Sequence, residues 1–191
     1  MIFRWFAPTP RHLSIPSLYG AIVAQARRPA FYQLYRVPDT VTGRLEMILL
    51  HMVLVLRHCQ QLDAGKRDLR GLRDLRDLGQ RLFDHFCSDM DDNMREMGVG
   101  DLAVPRKMRR IGDAFYARQA VYGAALAHGT NDDLSAALAR CVYRGPGATQ
   151  AAARLADYSR RAAHALVGQA GFESGEIEFP DPEAIHVPAQ A

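Results

Sequence analysis

The run Met47 to Leu56, MILLHMVLVL, is apolar at every position but His51, and it constrains the fold more than any other stretch of the chain. A membrane-spanning helix needs about 20 such residues, and this run is half as long. A helix that is apolar on all sides must be buried on all sides. The chain must therefore supply other helices to surround it, which makes a multi-helix bundle the expected architecture.

With 191 residues the chain is long enough for one well-buried core and short for two. The formal charge of +3 is spread unevenly. Residues 1–30 hold four Arg and no acid, and residues 171–191 hold five acids and no Lys or Arg. Between them the charge is too dilute for a nucleic-acid footprint, so DNA is not an expected partner. Lys66 and Lys107 are the two lysines, and nearly every cation is Arg. Cys59, Cys87 and Cys141 are odd in number with no CxxC pair, as expected of reduced, buried thiols in a cytoplasmic protein. The start, MIFRWFAPTP, has too short an apolar run for a secretion signal. A soluble protein that at most visits a membrane surface is expected.

Periodicity and stop signals divide the chain. Residues 1–16 are interrupted by proline and expected to be irregular. Ser17 can cap a helix over 18–28, and 31–35 adds a helical turn. Asp39 or Thr40 caps a helix running to Gln60, followed by a polar loop over 61–67. One long helix is expected over 68–97, with Gly79 as a place for a bend. Pro105 opens a helix to His128. Asn131 or Asp132 caps a shorter one to Tyr143, and a last helix spans 149–169. No stretch alternates like a strand. The expected fold is all-α, a single-domain bundle of about six helices over 17–170. An irregular N-terminus precedes it, and an extended, acidic, Pro-containing tail over 171–191 follows. That tail lacks an apolar period, so its removal is expected to leave the fold intact.

The segment DMDDNMREMGVGD, residues 89–101, carries the strongest recognition signal. Phe83, Phe86, Met90, Met94 and Met97 share one helical face, while Asp84, Asp91, Asp92, Arg95 and Glu96 fill the other. Gly98 stands where a left-handed cap belongs, and Gly100-Asp101 reads as a turn. Met suits an adaptable recognition surface, although ordinary core packing explains the same stripe. The cluster Asp91, Arg95, Glu96, Lys107 and Arg118 is open to two accounts: an exposed interaction surface, or a buried ion-pair network pinning the long helix.

Chemistry is sought and mostly missing. Asp89, Asp91 and Asn93 match alternate calcium-loop ligands, but Met94 and Gly100 stand where Gly and a bidentate Glu belong. No Cys/His cluster with metal spacing occurs, and no metal or cofactor is expected. His51 is best explained as a buried histidine with one hydrogen-bond partner; an enzyme or cofactor carrier using it or Asp91 and Glu96 is the further alternative. No catalytic residue is assigned, in the absence of phosphate-loop, dinucleotide or nucleophile-elbow motifs. Arg106, Lys107, Arg109 and Arg110 could meet RNA beside Phe115 and Tyr116, or simply form the solvated side of a helix whose apolar side holds Met108, Ile111 and Phe115.

Four stretches in order carry a resemblance. They are AIVAQARRPAFY (21–32), VPDTVTGRLE with LLHMVLVLR (37–46 and 49–57), DMDDNMREMGVGD (89–101) and VPRKMRRIGDAFYARQAVY (104–122). Together they resemble the ubiquinol–cytochrome c chaperone family, over about residues 17–128, with the region beyond Asn131 adding little. The resemblance implies a non-enzymatic, all-α assembly factor for the respiratory cytochrome bc1 complex, complex III. Its implied client is cytochrome b or another bc1 subunit, with contacts to the ribosome and transiently to the membrane surface. The chain begins close to the core without a transit-like segment, so the bacterial, alphaproteobacterial form is expected, cytoplasmic or peripheral to the inner membrane. The partner-binding residues this suggests are Asp91, Arg95, Glu96, Lys107, Tyr116, Arg118, Met90 and Met94. Arg27, Tyr32, Asp39, Arg44, Glu46, His51 and Asp101 are motif positions with structural or binding roles. A ribosome- or RNA-associated translation factor using 106–110 is the alternative function.

Overall fold

The computed structural model describes residues 15–65, 69–145, 149–167, 169 and 176–185, with the side chains of 62–65 and 69–76 outside that description. Its helices are α1 Ile15–Ala26, α2 Pro29–Gln33, α3 Val41–Gly65, α4 Leu69–Glu96, α5 Val104–Ala127, α6 Asn131–Leu138, α7 Thr149–Leu166 and α8 Pro182–Ile185. A π-helical turn, Ala139–Tyr143, continues α6. No strand occurs among the described residues. The fold is an all-α bundle.

Every residue from Met47 to Leu56 is at most 6 % exposed, His51 included. The run lies mid-way along α3, and α1, α4, α5, α7 and the π turn pack around it. Gly79 of α4 lies against the end of that run: a Cβ there would stand 3.3 Å from Leu56 Cδ2. No bend breaks the helix at this glycine, since α4 continues through it. Its small size sets the helix separation instead.

Local chemistry explains the boundaries. Thr40 is the cap of α3, its hydroxyl accepting from the Gly43 N–H at 3.1 Å. Gly43 is required because a Cβ would lie 2.0 Å from the Pro38 carbonyl oxygen. Met97, Gly98 and Val99 end α4 in a Schellman motif: Val99 N–H bonds to Met94 O and Gly98 N–H to Arg95 O, with Gly98 at φ +77°. Helix α6 starts from a capping box of Thr130 and Asp133, one residue before the expected Asn131. Pro16 is tolerated in the first turn of α1, so that helix starts at Ile15, ahead of the expected cap at Ser17. Helix α3 likewise runs on to Gly65 through part of the expected loop. The irregular segment expected over 1–16 otherwise lies outside the described residues.

The acidic tail departs most from expectation. Residues 176–181 are extended, but they are docked rather than loosely held. Ile177 and Pro182 are buried, and the Phe179 ring meets His51 edge-on at 5.1 Å. Gln25 Nε2 donates to Pro180 O, and Tyr35 OH donates to Pro182 O. Arg28 pairs with Asp181 at 3.0 Å, and the Gln169 amide exchanges two bonds with the Glu178 backbone. These contacts span α1, α2 and the end of α7, so the absence of periodicity did not mean the absence of a partner.

Candidate functional site

The surface that stands out is the corner joining α4 to α5. Leu102 is 99 % exposed and Met97 62 % exposed, on either side of the Gly98–Gly100 turn. Apolar side chains that large at a turn are costly to leave in water unless something covers them. Arg95 lies between two acids, with Nε 2.7 Å from Asp91 Oδ2 and Nη1 against Asp101. Glu96 and Lys107 are exposed beside them. Tyr116, more than half exposed, lies against Phe83 at 5.5 Å, and Phe83 packs on Phe115 at 4.7 Å. These rings join α4 to α5 about four turns along the helices from the corner.

The expected recognition residues do not all gather there. Met94 is buried and Met90 half-buried, so the Met stripe is core for most of its length and surface only at Met97. Arg118 belongs elsewhere. It reaches from α5 to α3 and grips Glu46 with both prongs, Nη2 to Oε1 at 2.6 Å and Nε to Oε2 at 3.0 Å. The Glu46 side chain is 4 % exposed and that of Arg118 19 %. Of the two accounts of the charge cluster, Arg118 follows the buried one and Arg95, Glu96 and Lys107 the exposed one. Asp89, Asp91 and Asn93 lie on the continuous α4 helix, and Asp89 accepts from Tyr19 OH at 2.7 Å, so no calcium loop forms.

The other motif positions hold the N-terminal elements. Asp39 and Arg44 pair at 2.6 Å across the α3 cap; that bond holds the Asp39 carboxyl below its ordinary range and raises the Arg44 guanidinium. Tyr32 OH donates to Ala26 O, closing the α1–α2 joint, and burial pushes the phenol up. Arg27 is exposed. Arg106, Lys107, Arg109 and Arg110 are all exposed on α5, while Phe115 further along the helix is buried.

His51 sits at the centre of a closed polar chain. Met47 O can only accept, so His51 Nδ1 carries the proton that bridges their 2.8 Å separation. Nε2 then accepts from Tyr158 OH at 2.9 Å, and Tyr158 in turn accepts from Gln25 Nε2. The histidine has two partners rather than the expected one, and no access to solvent. Burial lowers its pKa from 6.5 to about 4, against a smaller opposing effect of the Met47 carbonyl. Between those values the unfolded chain binds more protons than the fold. Stability will therefore be full above pH 6.5 and will fall as the pH drops toward 4, by up to about 3 kcal/mol from this group. Urea titrations across that range, with His51→Gln as the non-titrating control, will check the slope.

Leu102, Tyr158, Gln25 and Tyr35 escaped the sequence. A single Leu after Gly-Asp was the available signal for the corner, while Tyr158 and Gln25 meet only through tertiary structure.

A family model for the ubiquinol–cytochrome c chaperone matches residues 33–179. The chain belongs to that family. The match extends past the 17–128 region of visible resemblance and ends at Phe179, within the docked tail. The crystal structure of the Cbp3 homolog from Brucella abortus is similar at 32 % identity and a TM-score of 0.74, over 88 % of this chain and 90 % of that one. No curated protein matches the chain. The family is one of assembly chaperones for the bc1 complex, and among the described residues no helix is long and apolar enough to cross a membrane.

Proposed function

We propose that this protein is a non-enzymatic chaperone that holds newly made cytochrome b during bc1 assembly, working from the cytoplasm at the inner-membrane surface and gripping its client at the α4–α5 corner. The observation that carries the reading is the pairing of exposed Leu102 and Met97 with exposed Arg95, Glu96 and Lys107. A client that is mostly apolar helix with charged loops needs both chemistries, and Met adapts to varied apolar surface. His51 is sealed in the core, which argues against it as a catalytic group.

In a tagged pulldown from native membranes, cytochrome b will be the enriched client. The double substitution Leu102→Asp with Met97→Asp will melt within about 0.5 kcal/mol of wild type, as surface changes do, and will lose that enrichment and fail to restore bc1 in a deletion strain. Stable corner variants that fully restore bc1 defeat the corner as the client site. Normal bc1 levels in the deletion strain defeat the chaperone reading itself.

The four exposed cations of residues 106–110 favour a second reading, contact with ribosomal RNA. Phosphate contacts lose affinity steeply with salt, so ribosome association that survives moderate salt excludes it.

A further inference from the structure

On the far side of the bundle, Arg57 from α3 and Arg160 from α7 line an open cavity of about 220 Å³. Neither forms an ion pair with a carboxylate among the described residues. Arg57 Nη2 donates to Leu126 O at 3.2 Å, and Arg160 Nη2 lies within bonding distance of Ala125 O, Gly129 O and Thr130 O. Arg160 Nε donates to Asn131 Oδ1. Both guanidiniums therefore rest on the carbonyl end of α5, which orients them without neutralising them. A guanidinium carries five N–H donors in a rigid fork. Among the described residues the Arg57 Nε and Nη1 groups and the Arg160 Nη1 group have no hydrogen-bond acceptor, and both side chains line the cavity.

The rest of the wall fits the same occupant. Gln61 and His164 supply further polar groups, Leu126 and Val167 supply an apolar side, and no carboxylate among the described residues lines the cavity. Asp133, which feels the charge of Arg160, has its carboxylate engaged by the N–H and hydroxyl of Thr130. Burial and the neighbouring Arg160 charge both weaken the hold of Arg57 on its proton, so the two guanidiniums stand close enough to repel. An oxyanion bridging them relieves that repulsion and takes the forked donors.

We propose that the Arg57–Arg160 cavity is a binding site for a small phosphate-bearing anion. It lies apart from the α4–α5 corner and does not depend on it. The ligand is a free phosphate or the head of a phosphate monoester whose stem lies along Leu126 and Val167.

The test uses the full chain, labelled with nitrogen-15, titrated with inorganic phosphate and separately with n-butyl phosphate against sodium chloride at matched ionic strength. The Nε–Hε resonances of Arg57 and Arg160 will shift saturably with phosphate and not with chloride. The melting temperature will rise by about 3 °C at ten times the dissociation constant. Arg57→Gln will abolish both responses. Arg57→Lys, which keeps the charge but loses the fork, will weaken binding about tenfold and serves if the Gln variant does not fold. Tighter binding of butyl phosphate identifies a lipid-like ester, and equal binding identifies free phosphate. The proposal is overturned if phosphate acts no better than chloride, or if both Arg57 variants respond like wild type.

Discussion

Removing residues 172–191 will lower the melting temperature by about 10 °C or more. The cut exposes the surfaces that buried Ile177 and Pro182 and half-buried Phe179 cover, and full burial of a side chain such as Ile contributes about 1.5–3 kcal/mol. It also strips the Pro182 carbonyl from Tyr35 OH and the Pro180 carbonyl from Gln25. Each of those lost hydrogen bonds is worth about 0.5–1.5 kcal/mol net. In a domain of this size 1 kcal/mol moves the transition by roughly 2–4 °C, and the losses combine to well above that. Thermal melting of the truncated chain beside Phe179→Ala separates the ring from the rest of the tail. A truncated chain that melts with the full one would return the tail to the status its composition suggested.

Arg118→Ala will be the costliest change on the charged residues. It strands the Glu46 carboxylate between α3 and α5, and breaking a buried pair from one side costs about 3–5 kcal/mol. The bidentate bond to Glu46 keeps the Arg118 guanidinium charged despite its burial. Replacing both residues by Met removes the uncompensated charge and will recover most of the loss. Urea unfolding of the single and double variants measures the difference. Equal losses in the two would mean that the pair acts through its packing rather than its charge.

What the sequence made legible follows from the kind of force involved. The buried run at 47–56 was readable because a stretch that is apolar on all sides and too short to span a membrane is stable only when other helices surround it. The α4 stop was readable because Gly98 supplies a conformation that other residues rarely adopt. Arg118 was misplaced because charge spacing on one helix cannot tell which neighbour a long side chain will meet. The tail was misjudged for a related reason. Segment 176–185 is held by its own carbonyls and a few apolar side chains against α1–α3, and such pairings leave no period in the chain. At the corner, the charged members Arg95, Glu96 and Lys107 were legible from local pattern. Leu102, in contrast, gains its meaning only from being fully exposed.

The route of the tail also orders events during synthesis. A ribosome extrudes α1, α2 and α3 early and residues 176–185 last among the described segments. While α7 is emerging, the nascent bundle can already bring Tyr158 to His51, but Gln25 and Tyr35 still face water on the side the tail will close. At ordinary elongation rates that interval is on the order of seconds. Until segment 176–185 emerges, the bundle lacks the Phe179 ring that stands against His51.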